Sequence, residues 1–74
     1  MVGENAFLSF VADLFEVPPE TLSLETAYES IPQWDSVMHL RLMMEVGAAY
    51  GVDIPLDEIP SLKTLGALYS KLNG

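Results

Sequence analysis

The chain of 74 residues predicts an all-α fold, a four-helix bundle with a long first loop and a short third helix. Three observations predict it. Apolar residues recur at helical spacing in three separate stretches, no stretch reads as a strand, and Pro or Gly stands between the stretches. The length is about half that of an average domain, so one domain over residues 1–74 is expected and a second core is excluded.

The first helix is expected from Glu4 to Phe15. Phe7, Val11 and Leu14 fall at i, i+4 and i+7, and Phe10 adds i+3. Glu4 suits its N-terminus through the helix dipole. Val17-Pro18-Pro19 stops it, because proline lacks the N–H donor and restricts the residue before it. Residues 17–34 then form a long connection. Leu22, Leu24, Tyr28 and Ile31 lie within it, so it is expected to pack on the core. A loop of this length in a small domain is uncommon and often functional.

The second helix is expected from Ser36 to Tyr50, capped by Asp35 or Ser36 and stopped by Gly51 at C′. Asp53-Ile54-Pro55 turns the chain. Leu56 to Ile59 allows one short helical turn, which Pro60 closes. The last helix, capped at Ser61 or Thr64, carries Leu65, Leu68, Tyr69 and Leu72 at helical spacing, with Lys71 well placed in its last turn.

Charge narrows the function. Three Lys+Arg stand against 11 Asp+Glu, a net charge of −8. Seven of the acids precede Ser36, with no Lys or Arg among them. This excludes a nucleic-acid binder, which neutralises phosphates with Lys and Arg, and argues against an anionic membrane surface. It favours partners with basic patches. No apolar run approaches the ~20 residues of a membrane span. The N-terminus has no basic region ahead of an apolar stretch, so neither a signal peptide nor membrane insertion is expected. The absence of cysteine excludes disulfides and Cys-type zinc sites and leans towards a cytoplasmic location.

The second helix carries most of the information. At 100° per residue, Leu42, Met43, Val46, Ala49 and Tyr50 form one apolar arc. Val37, Leu40, Met44, Gly47 and Ala48 form another, roughly opposite. Only Arg41 and Glu45 make a polar stripe, with Met38 beside them. A helix apolar all round is normally buried, yet a chain this small cannot enclose one. One arc is therefore core and the second is read as a binding face; the alternative is that the short helix and the long loop cover the second arc. Ser36 stands where a helix N-terminus favours a phosphate, although on its residue type alone it reads as a cap. His39, the only histidine, lies at i+3 from Ser36. Its angle points to the core, and nothing supplies an orienting third group or an oxyanion hole, so it reads as a packed core residue and no catalytic residue is expected. Asp53, Asp57 and Glu58 lack calcium-loop spacing, and Met38, Met43 and Met44 read as packing, so no metal site is expected.

At Trp34-Asp35-Ser36-Val37 the chain resembles the acyl carrier protein family. The resemblance covers nearly the whole length. It includes the first amphipathic helix, the acidic loop and the Leu40/Leu42/Met43/Met44/Val46/Tyr50 pattern. It continues through Gly51-Val52-Asp53-Ile54-Pro55 and Leu62-Lys63-Thr64-Leu65. It implies a four-helix bundle of acyl-carrier type. It implies that a phosphopantetheinyl transferase attaches phosphopantetheine from coenzyme A to Ser36, with Asp35 supporting attachment and magnesium present only in the transferase complex. The arm's thiol would hold acyl or aminoacyl groups as thioesters. Val37, Leu40, Arg41 and Met44 would meet partners, and Leu42, Met43, Val46 and Tyr50 would frame an acyl cavity. The implied partners are the transferase and acyl-loading and acyl-processing enzymes with basic and apolar patches, acting on a monomer.

The chain also departs from the family pattern. Val37 stands where leucine is usual, and the second helix offers Arg41, Gly47 and Ala48 beside Glu45 where acids are usual. Partner choice is therefore expected to rest on apolar contact and on the acidic loop. A dedicated, stand-alone carrier for a specialised fatty-acid or polyketide-type pathway is expected over general fatty-acid synthesis. Pro32-Gln33-Trp34 replaces the glycine-rich approach of peptidyl carriers. The alternatives are a peptidyl or D-alanyl carrier, or an unmodified interaction module using the Val37/Leu40/Met44 face.

Overall fold

A computed structural model of the chain describes residues 3–73. Three α-helices, α1 (Glu4–Phe15), α2 (Ser36–Tyr50) and α3 (Leu65–Asn73), are joined by a long loop and by a short 3-10 segment, Leu56–Ser61. That segment occupies the place of the short third helix, and the expected all-α four-helix arrangement of acyl-carrier type is what is found. A further 3-10 turn, Pro19–Thr21, lies in the loop where none was expected. Among the described residues the only strand-like pairing is a single antiparallel bridge between Ala27 and Thr64.

The ends of α1 and α2 lie where the residue types put them. Helix α1 stops at Glu16, which takes the left-handed conformation at φ 60°. Val17 then donates back to the Ala12 carbonyl, satisfying a carbonyl the helix end would leave open. The buried face of α1 is Phe7, Val11, Ala12 and Phe15, with Phe10 and Leu14 at its edges. Asp35 caps α2 by accepting from the Met38 N–H at 2.8 Å, and Gly51 ends it at φ 66°. Thr64, not Ser61, caps α3: its Oγ1 accepts from the Ala67 N–H at 3.0 Å. The Ser61 hydroxyl instead donates to the Glu58 carbonyl. Pro60 lies inside the 3-10 segment rather than closing it. The segment absorbs the missing donor because its i→i+3 pattern resumes with the Leu62 N–H on the Ile59 carbonyl.

The long loop is fixed to the start of α3. Gly66 donates to the Leu24 carbonyl at 2.7 Å, Leu65 to Thr26 at 3.0 Å, and Tyr28 to Lys63 at 2.7 Å. A Cβ on Gly66 would sit 2.8 Å from the Leu24 oxygen, so the approach requires glycine. Leu22 is buried, and Leu24, Tyr28 and Ile31 pack on the core, as their apolar character predicts. Trp34, at the loop's end, is wholly buried and lies against Phe15 and Tyr28.

Candidate functional site

The site is built where the long loop enters α2. Trp34 is anchored in the core, which fixes the chain's direction as it reaches Asp35. Asp35 is extended, and its carboxylate folds back onto the Met38 N–H. Its carbonyl accepts from the His39 N–H at 2.8 Å. The capping function that Ser36 would have by default is thus discharged by Asp35. Ser36 is exposed, and among the described residues no group hydrogen-bonds its hydroxyl. The first N–H groups of a helix have no intrahelical acceptor and carry the positive end of its dipole. An exposed, uncommitted hydroxyl in that field fits a phosphate-linked substituent.

His39 does not serve Ser36. It is buried, and both ring nitrogens are occupied. The Trp34 Nε1–H donates to Nδ1 at 2.9 Å, and Nε2 lies 3.0 Å from the Ile59 carbonyl. An indole only donates, so Nδ1 must accept and Nε2 must carry the proton that goes to Ile59. Tyr28 stacks on the ring at 4.6 Å. The expected packed, hydrogen-bonded histidine is what is found.

The second arc of α2 faces solvent. Val37 is 75% exposed, Leu40 50% and Met44 74%. Neither the 3-10 segment nor the loop covers these three, whereas Gly47, on the same arc, is half-buried against the Val52 carbonyl. The three residues line a shallow depression of about 590 Å³ whose rim is Arg41, Glu45 and Ala48. Arg41 and Glu45 lie 3.8 Å apart, one turn from each other, and both are well exposed. Met38, read as packing, packs on the core. One position of the helical wheel differs from expectation. Ala49 is exposed, because its methyl group is too short to reach the core.

The residues expected to frame a cavity are placed differently from one another. Leu42 and Val46 have no exposed surface, and Tyr50 lies edge-on to Phe10 at 5.6 Å. Met43 borders a cleft of about 470 Å³ between α2 and residues 52–59. Leu40 and Met44 line one side of it, and Val52, Ile54, Leu56 and Ile59 the other. Sequence reasoning missed this second wall. The apolar spacing of those residues after Gly51 was its only signal. Gly47 completes the junction, because a Cβ there would meet the Val52 carbonyl at 2.9 Å.

Among the described residues no group of His, Asp or Glu side chains could hold a metal ion, and no helix is long and apolar enough to cross a membrane. A family model described as a phosphopantetheine attachment site matches residues 5–72. No curated protein matches the chain.

Proposed function

The chain belongs to the phosphopantetheine attachment-site family, and from that premise we propose that it is an acyl carrier whose arm is attached to the Ser36 hydroxyl. Domains of this family bind the phosphopantetheine group derived from coenzyme A and carry rather than catalyse. When bound, the arm supplies a thiol on which a cargo is held as a thioester.

The observation that carries the Ser36 assignment is the division of labour at the start of α2. Asp35 caps the helix, and Ser36 keeps an exposed hydroxyl with no hydrogen-bond partner among the described residues. A phosphodiester there would meet the positive end of α2. Asp35 holds the first turn in shape, so the hydroxyl is presented the same way to each enzyme that meets it. Val37, Leu40 and Met44 lie on the exposed side of the same helix and supply an apolar landing surface beside the arm, with Arg41 at its rim. Partners are the attaching transferase and the enzymes that load and process the cargo. The largely apolar lining of the α2 cleft, with Asp53 its one charged residue, favours an acyl cargo. The scarcity of acids on α2 favours a specialised fatty-acid or polyketide-type pathway.

Intact-protein mass spectrometry tests the assignment. The chain is incubated with a broad-specificity phosphopantetheinyl transferase, coenzyme A and magnesium, with Ser36→Ala alongside. The expected result is a gain of one arm on the wild type and none on the variant. A gain on both would move the attachment elsewhere. No gain on a folded wild type would favour an unmodified module that binds through the α2 face.

A further inference from the structure

The 3-10 segment Leu56–Ser61 forms one wall of the α2 cleft, packs on the core through Ile59, and makes most of its hydrogen bonds within itself or to its immediate neighbours. The Glu58 N–H bonds to the Pro55 carbonyl, the Ser61 hydroxyl to the Glu58 carbonyl, and the Leu62 N–H to the Ile59 carbonyl. Such i→i+3 turns have poorer hydrogen-bond geometry than an α-helix and are used in short pieces. The chain reaches the segment through Gly51, in the left-handed conformation, and an extended Pro55. Among the described residues two polar contacts tie it to other elements. One is buried, between the Ile59 carbonyl and His39 Nε2 at 3.0 Å. The other is partly exposed, between Glu58 and the Lys71 ammonium on α3 at 2.7 Å.

We propose that the Leu56–Ser61 segment is a latched wall of the cleft, with His39 as the buried latch and the Lys71–Glu58 pair as the outer one. His39 is a positioning residue: it acts on the cleft through Ile59 and touches nothing at Ser36. Its ring joins three elements at one point. The long loop reaches it through Trp34 and Tyr28, α2 carries it, and the wall hangs from it. Ile59 is at once a core residue and part of the cleft lining, so its withdrawal joins the cleft to the apolar interior. The outer latch is ionic and partly exposed, so salt weakens it, whereas salt leaves a neutral buried hydrogen bond intact. The wall therefore releases in two separable stages.

Hydrogen exchange followed by mass spectrometry tests this on the unmodified chain, so the outcome does not depend on Ser36 being the attachment site. His39→Phe removes both ring nitrogens and keeps an aromatic ring. It is expected to speed exchange in residues 52–62 about tenfold, with a smaller change in α1. It should also raise uptake of the uncharged apolar dye N-phenyl-1-naphthylamine. His39→Gln places an amide oxygen and an amide N–H at nearly the spacing of the two ring nitrogens, so it is expected to restore slow exchange and low dye uptake. Lys71→Met is expected to give a smaller acceleration in residues 52–62, matched in the wild type by high salt and insensitive to salt thereafter. Exchange that rises equally along the whole chain in His39→Phe, with no rescue by His39→Gln, would overturn the buried latch. If His39→Phe does not fold, His39→Gln and Lys71→Met decide the matter. Exchange in residues 52–62 that stays at the wild-type rate in Lys71→Met and in high salt would overturn the outer latch. A folded His39→Gln whose residues 52–62 exchange faster than in the wild type would show that the two ring hydrogen bonds are not what holds the wall, and would overturn the buried latch.

Discussion

Asp35 and Ser36 are neighbours with opposite tasks. The Asp35 side chain is spent on α2, and among the described residues nothing hydrogen-bonds the Ser36 side chain. Two substitutions separate the structural part of Asp35 from the rest. Asp35→Ala removes the cap and is expected to cost about 1 kcal/mol, read as a lower midpoint in urea unfolding. Asp35→Asn keeps a capping oxygen, since asparagine caps as well as aspartate, and is expected to leave the midpoint nearly unchanged. Slower transfer of the arm to Asp35→Asn than to wild type would then report the carboxylate's charge alone. The cap was legible from the residue type, because a short side-chain oxygen before an apolar helix has few other uses. The role of His39 was legible only in part. Its angle on α2 placed it in the core, but its acceptor on Ile59 is 20 positions away, and no local pattern names a partner at that range.

The boundaries of α1 and α2 follow from local chemistry: Glu4 at one start, Asp35 at the other, Pro18 beyond one end and Gly51 at the other. The cleft does not, because it depends on where residues 52–59 settle after Gly51. Ile59 binds there through its own backbone oxygen, which every residue type possesses. For the same reason Leu42 and Val46 lie in solid packing, while the cleft that Met43 borders lies one face over. Gly47 marks that junction. Alanine is the better helix former by about 1 kcal/mol, so in an open helix Gly47→Ala would stabilise. Here its Cβ would press on the Val52 backbone oxygen at 2.9 Å, and that oxygen belongs to the chain turning into the cleft wall. Gly47→Ala is therefore expected to lower the thermal midpoint despite its higher propensity, with the loss of order concentrated at residues 51–56 in amide NMR spectra.

The whole molecule measures 26 × 25 × 19 Å and carries a net charge of −8. At an ionic strength of 0.01 M the screening length is about 30 Å, so every carboxylate repels every other across the entire body. At 0.15 M it falls to about 8 Å, and the repulsion becomes local. A domain of this size has little stability to spare. Raising salt between those limits is expected to raise the thermal midpoint by about 5 °C, the shift that roughly 1 kcal/mol produces in a domain this small. A midpoint that falls with salt would mean that the Arg41–Glu45 and Lys71–Glu58 pairs outweigh the general repulsion. The core also holds the chain's only tryptophan, wholly buried, with its N–H engaged by His39. The protein therefore carries its own optical gauge at the point where loop, helix and cleft wall meet. Excited selectively, Trp34 emits from a dry, hydrogen-bonded niche, and the colour and brightness of that emission follow the state of the junction in unlabelled protein.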